Sequence, residues 1–169
     1  QGGNNNTWCQ DSPLGWMVWN EDHCDLELKL FLKRLLTLRQ ALPQLFNPLI
    51  PARETTKKHP QDQTDLWRQW HGVELSKPDW AAWSRSIATS LHMGSHGALI
   101  WMGFNAHKEA LNFELPIPAS PWTRVIDTSL PAPKDLPDQP VPFRGVTIPL
   151  QNRSFVLLVA QDEVSNLRL

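Results

Sequence analysis

The sequence predicts a mainly β fold, an antiparallel β-sandwich that follows a loop and one α-helix. A leucine-rich segment repeats at helical spacing, six short apolar or alternating segments come after it, and 15 prolines stand against 8 glycines. Many prolines suit ordered loops between short strands better than a helical bundle. We expect the loop and helix in residues 1–45, a linker in 46–65 and the sandwich in 66–169.

The helix is predicted for residues 26–42. Asp22 is expected to cap it, Asp25 lies in the first turn, and Pro43 ends it. Leucine is frequent enough to cover more than one face, so the helix is expected to pack into a larger body and to belong to a domain before the sandwich. The predicted buried face consists of residues at three- and four-residue steps: Leu28, Phe31, Leu32, Leu35, Leu38 and Leu42.

The strands are predicted where the hydrophobic period changes. A proline-containing stretch with a Lys57-Lys58 pair precedes them and is interpreted as the domain boundary. Gly, Pro, Ser and Asn separate the segments, a pattern typical of an antiparallel sandwich. The six predicted strands are 87–93, 98–105, 110–115, 122–127, 146–150 and 154–160.

Composition excludes several classes of function. The chain is 41% hydrophobic with a formal net charge of −1, which gives no electrostatic reason to bind nucleic acid or membrane. No apolar run approaches the ~18 residues of a membrane span.

The opening Gln1–Asn6 has no initiator Met and no signal peptide, so we expect a cut within a larger protein. Cys9 and Cys24 are then expected to be reduced thiols in a cytosol-like compartment.

Self-contained catalytic motifs are absent from the sequence. It has no phosphate-binding glycine loop and no GxSxG elbow. His92 and His96 have a spacing that binds metal on a helix, but they flank Gly94 in a predicted hairpin, where a solvated turn is favoured. No metal site and no cofactor are predicted, and the chain is expected not to catalyse a reaction by itself.

One polar segment near the start is a candidate substrate-binding loop. Amides and carboxylates can hydrogen-bond sugar hydroxyls in both senses, and an aromatic face can stack on a pyranose ring. The same side chains can instead cap their own backbone, and physical chemistry leaves both interpretations open. The candidate residues are Asn4, Asn5, Asn6, Trp8, Gln10 and Asp11.

Four tryptophans form a second aromatic set: Trp67, Trp70, Trp80 and Trp83. Exposed, they would form a carbohydrate-binding platform. Buried, they would form the seam between the linker and the sandwich. Because tryptophan is more often buried than displayed, the core interpretation is favoured.

An ordered series of motifs resembles isoamylase-type glycogen and starch debranching enzymes, which belong to the α-amylase superfamily. The opening Gln1–Asp11 is similar to the G-N-N-N-x-Y-C-Q-D stretch of that family, with Trp8 where the family usually has Tyr. The resemblance spans essentially the whole chain. The further matching motifs are Trp70-His71-Gly72-Val73, Lys77-Pro78-Asp79-Trp80, Ser84-Arg85-Ser86, Asn105-Ala106-His107, Ile126-Asp127-Thr128 and Arg153-Ser154.

The resemblance implies an architecture and an activity. Residues 1–45 would be the end of a catalytic (β/α)8 barrel, with Asn4–Asp11 in the loop after its last strand, where loops build the active-site face. The parent enzyme would hydrolyse α-1,6 branch points with carboxylates that lie before this segment, in a cytoplasm or a plastid-like stroma. Partners would be an α-glucan and the barrel, and the leucine-rich helix could pair two copies. The alternative is a stand-alone α-glucan-binding module.

Overall fold

A six-stranded antiparallel sheet is the centre of the molecule. The computed structural model describes residues 11–13, 15–16, 25–42, 66–93 and 97–164. Strands run in the order β1-β2-β3-β8-β5-β6, and β4 pairs with β7 in a separate two-stranded sheet. The elements are α1 (Leu26–Ala41), β1 (Leu66–His71), β2 (Ser86–Met93), β3 (Ala98–Asn105), β4 (Leu111–Glu114), β5 (Trp122–Asp127), β6 (Val141–Pro142), β7 (Thr147–Leu150), β8 (Ser154–Ala160) and α2 (Gln161–Val164).

Both faces of the large sheet are apolar. Alternate residues of a strand point to opposite faces, and in β8 both sets are hydrophobic. Val156 and Leu158 belong to one core cluster, whereas Leu157 and Val159 belong to the other. A strand that is buried on both sides needs a layer of structure on each side.

The two-stranded sheet covers one face. Phe113 of β4 and Ile148 of β7 pack in the same cluster as Trp101 of β3, and the Trp101 and Phe113 rings meet edge to face at 6.0 Å. Gly103 makes room for this arrangement, because a Cβ atom there would overlap the Trp101 ring. The predicted mainly β fold with two antiparallel sheets and a preceding helix is confirmed.

Helix α1 covers the other face. Leu38 and Leu42 are buried in the cluster that contains Leu157 and Val159. Arg34 adds a polar link to the loop after β5: its guanidinium donates to the Leu136 carbonyl at 2.9 Å and pairs with Asp138 at 2.6 Å. The helix expected to belong to a preceding domain therefore packs on the sheet itself.

Two details of the predicted helix are wrong. The N-cap is Asp25 rather than Asp22: the Asp25 carboxylate accepts a hydrogen bond from the Leu28 backbone N–H at 2.9 Å. Leu28 and Leu32 are exposed, although the sequence placed them on the buried face. The stripe that packs on the sheet comprises Phe31, Leu35, Leu38 and Leu42, because the leucine-rich sequence offers more than one apolar stripe and packing selects one of them.

The predicted strands are found with small shifts in their ends, but two strands were missed. β1 (Leu66–His71) has the sequence LWRQWH, in which Arg68 and Gln69 interrupt the apolar pattern, and it pairs along its length with β2. β6 (Val141–Pro142) has only two residues at the sheet edge. The predicted linker, 46–65, lies outside the described residues.

Substituting two leucines of α1 tests the packing of the helix on the sheet. Leu38 is 2% exposed and Leu36 is 50% exposed, on the same helix. Leu38→Ala should lower the free energy of unfolding by about 2 to 5 kcal/mol through lost burial and a cavity. Leu36→Ala, the matched control, should change it by less than about 0.5 kcal/mol at protein concentrations at which the chain is monomeric. Equal effects in urea unfolding would contradict this placement of α1.

Candidate functional site

Most of the predicted substrate-binding loop lies outside the described residues. This applies to Asn4, Asn5, Asn6, Trp8 and Gln10. Asp11 is described: it is exposed, and its carboxylate accepts a hydrogen bond from the Trp16 indole N–H at 2.7 Å. The role of this loop stays a prediction.

The core interpretation of the four tryptophans is wrong for two of them. Trp80 is 64% exposed and Trp83 is 81% exposed. Trp67 and Trp70 are half-buried on β1; Trp67 stacks on His92 at 4.1 Å, and Trp70 meets the edge of Trp80 at 5.6 Å. The polar neighbours Asp79 and Ser84 were the available signal that this segment is a surface loop.

Two adjoining cavities of about 450 and 470 Å³ lie at the end of the large sheet where β3 ends and β8 begins. They share Phe104 and Ala106 as lining residues, so together they form one depression, which we call the aromatic groove. The residues of the aromatic groove used below are Asp79, Trp80, Ser84, Arg85, Phe104, Ala106, Thr128, Arg153 and Phe155.

The groove assembles motifs that are far apart in the sequence. Phe104 and Phe155 are directly opposite each other in the β3–β8 pair, and their ring centroids are 4.7 Å apart. The Thr128 hydroxyl accepts a hydrogen bond from the Phe155 N–H at 2.9 Å, and the Ala106 N–H donates to the Arg85 carbonyl at 2.8 Å. Antiparallel pairing thus brings four loops to one end of the sheet. These are the loops before β2, after β3, after β5 and before β8.

Asn105 holds the backbone beneath the groove. Its amide nitrogen lies 2.9 Å from the carbonyls of Glu109 and Gln151, and its amide oxygen accepts from the His107 N–H at 2.9 Å. Asn105 is buried, so these bonds satisfy a side chain that is withdrawn from water. They also fix the turn that carries Arg153.

The charged groups at the rim are exposed. Arg85 and Arg153 make no side-chain hydrogen bond or ion pair with another described residue. The Asp79 carboxylate accepts from the Ala81 N–H at 3.0 Å and keeps a second oxygen available. The groove therefore offers both donors and an acceptor beside its aromatic rings.

A chain of three polar side chains lies within β1 and β2. The Ser76 N–H donates to Nδ1 of His71 at 2.9 Å, so the proton of that imidazole is on Nε2. Nε2 then donates to the Ser90 hydroxyl at 2.7 Å, and the hydroxyl donates to Nε2 of His92 at 2.6 Å. The prediction that His92 lies in a solvated turn is wrong, since it is buried at the end of β2; His96 lies outside the described residues.

This polar chain stabilises a neutral His71. Burial lowers the pKa of His71 to about 4, and electrostatic repulsion between protonated His71 and His92 adds to the shift. A proton on Nδ1 would also face the Ser76 N–H. A serine beside histidines resembles a nucleophile and base, but both nitrogens of His71 are bonded to Ser76 and Ser90 rather than to a carboxylate, and His71 is 0% exposed. The chain of bonds is structural.

Metal binding has no support in the described ranges. Within them, no group of three or more His, Cys, Asp or Glu side chains is close enough to hold an ion. The same part of the chain has no helix long and apolar enough to cross a membrane.

The stability of the protein should depend on the titration of His71. Unfolded His71 binds a proton near pH 6.5, whereas folded His71 does so only near pH 4. Between these values the unfolded state binds more protons, so stability falls as the pH falls. From pH 7 to pH 5 this group should remove about 2 kcal/mol from the free energy of unfolding.

Urea unfolding of wild type, His71→Gln and His107→Gln at both pH values tests this. His107→Gln is the control, because His107 lies in the turn after β3, away from the β1–β2 polar chain. His71→Gln should lose stability at pH 7 and flatten the pH dependence. An unchanged slope in His71→Gln would contradict the assignment.

Part of the chain is similar to a known protein family. Residues 69–147 match the family model described as Isoamylase 1-3, C-terminal. The matched range runs from the fourth residue of β1 to the first residue of β7. It includes Asp79, Trp80, Arg85 and Phe104 of the aromatic groove.

Three similar proteins share much of this chain. Isoamylase 1, chloroplastic, of Oryza sativa subsp. japonica is 28% identical over 89% of it, and Isoamylase 1, chloroplastic, of Arabidopsis thaliana is 33% identical over 83%. The glycogen debranching enzyme of Pectobacterium atrosepticum is 31% identical over 56%. The matched segments cover 17%, 17% and 15% of these relatives, so the chain spans less than a fifth of their length. The resemblance to isoamylase-type debranching enzymes is confirmed, and it is to their C-terminal domain.

Proposed function

We propose that this chain is the non-catalytic C-terminal part of an enzyme that hydrolyses α-1,6 branch points in a glycogen-like α-glucan. The observation that carries the proposal is the match of residues 69–147 to the isoamylase C-terminal family. Relatives named isoamylase and glycogen debranching enzyme match it over 56 to 89% of its length. The domain would stabilise a catalytic barrel supplied by the rest of the protein.

The distribution of carboxylates supports a non-catalytic role. Retaining glycoside hydrolysis needs a pair of carboxyl groups about 5 to 5.5 Å apart, facing the sugar. Asp79 is the only acid among the residues that line the aromatic groove. Asp127 is buried and its carboxylate is held by Arg124 and Ser129, while Glu114 accepts from the Leu75 N–H.

The two apolar sides of α1 favour a domain of a larger enzyme over a stand-alone glucan-binding module. One side packs on the sheet through Leu38 and Leu42. The other side presents exposed leucines that a free-standing module would have no reason to keep. These leucines are Leu26, Leu28, Leu30, Leu32 and Leu36.

The exposed side of α1 would contact the catalytic barrel. The amide-rich loop Asn4–Asp11 would then line the glucan cleft, with Trp8 stacking on a sugar ring in place of the usual tyrosine. The enzyme would act in the cytoplasm or, in a plant-like host, in a plastid. This compartment agrees with the names of the chloroplastic relatives.

A debranching assay tests the proposal. The 169-residue chain should release no linear chains from glycogen, because the carboxylate pair is expected in the barrel. A longer protein that joins the barrel to this domain should release them. The measurement is the appearance of reducing ends, with a pullulanase as positive control. Debranching by the pure chain, or none by the longer protein, would overturn the proposal.

The isolated chain should also dimerise through the exposed leucines. Leu32 is 52% exposed and lies midway along α1. Leu32→Lys should shift the chain to a monomer in sedimentation equilibrium, since a lysine at a paired apolar surface leaves an uncompensated charge. Ile117→Lys, at an exposed site in the segment between β4 and β5, is the control. A monomeric wild-type chain would contradict the pairing.

A further inference from the structure

We propose that the aromatic groove binds a linear segment of an α-1,4-linked glucan. The site is formed by residues 79–155 of the described domain, which are separate in sequence from the amide-rich loop Asn4–Asp11. The assignment to an α-glucan rests on the proposed function. The existence of a sugar-binding surface is argued from the groove alone.

Exposed aromatic rings provide the first argument. Trp80 is 64% exposed and Phe104 is 44% exposed. Trp80 and Phe104 line the same cavity, and Phe155 continues the row next to Phe104. An indole combines a large flat apolar face with an N–H donor at its edge. A pyranose ring is complementary, with an apolar C–H face and hydroxyls around its rim.

The charged side chains at the rim of the aromatic groove indicate what kind of molecule can bind in it. An apolar protein surface closing over the groove would bury Arg85, Arg153 and Asp79 without partners, at a large desolvation cost. Sugar hydroxyls both donate and accept, so they can bond the two guanidinium groups and the carboxylate without adding charge. The groove thus suits a neutral polyhydroxylated chain better than a second apolar surface.

The groove is preorganised by its backbone. Arg153 has a φ of +49°, in the left-handed region that side chains other than glycine rarely adopt. Its N–H donates to the His107 carbonyl at 3.2 Å, and the Ser154 hydroxyl donates to the Gln151 carbonyl at 2.7 Å. Because these bonds and Asn105 hold the turn, little backbone ordering remains for a ligand to impose.

The size of the groove agrees with a short oligosaccharide segment. Its two parts, of about 450 and 470 Å³, are each within the usual range of ligand pockets. Because these two parts adjoin at Phe104 and Ala106, the groove is longer than either part alone. An extended chain fits such a groove better than a single compact sugar.

Titration calorimetry of the full chain with maltoheptaose tests the proposal, together with retardation in native gels that contain glycogen. Trp80→Ala should weaken the association with maltoheptaose roughly tenfold, because an exposed aromatic face that lines the groove is lost. Trp80→Phe should retain most of the affinity. Ile117→Ala, at a site that is 84% exposed near the opposite end of the sheet, should bind as wild type does.

Thermal unfolding of each variant checks that the fold is kept, as expected for a side chain that is 64% exposed like Trp80. Three results would overturn the proposal: no binding by the wild-type chain, equal binding by Trp80→Ala, or binding of cellohexaose without maltoheptaose. Debranching by the longer protein, with no maltoheptaose binding by this chain, would remove the groove assignment and leave the proposed function standing.

Discussion

The six-stranded sheet is apolar on both faces, and this constraint organises the rest of the structure. Neighbouring residues of β8 belong to two separate core clusters, so both faces of the sheet have to be shielded from water. The two-stranded sheet of β4 and β7 covers one face, and α1 covers the other. Burial of apolar surface stabilises a protein by roughly 25 cal/mol per Å². Each of the two covering layers therefore adds several kcal/mol to the free energy of unfolding. The helix is therefore one of the two layers that pack on the sheet.

The same helix is apolar on more than one side. Leu38 and Leu42 supply the contact with the sheet, while Leu28, Leu32 and Leu36 are exposed. The chain spans less than a fifth of the three relatives compared with it. The exposed leucines are the basis of our proposal that α1 contacts the rest of such an enzyme.

The aromatic groove depends on strand pairing for its position and on polar side chains for its shape. The last residues of β3 pair with the first residues of β8, which places Phe104 beside Phe155. Asn105 then holds the adjoining turns by bonds to two segments of backbone, one at His107 and Glu109 and the other at Gln151. Buried polar networks of this kind rigidify the loops that they join. The groove is thus a consequence of the sheet rather than of a local motif.

The sequence by itself determined the mainly β class, the helix and most strand positions, because hydrophobic period and turn residues are local signals. The ordered motifs also identified the family resemblance. Tertiary structure decided which stripe of α1 is buried, that Trp80 and Trp83 are exposed, and that His92 is not. It also brought Trp80, Phe104 and Arg153 to one end of the sheet. These outcomes depend on contacts between residues far apart in the chain, which spacing and composition do not encode.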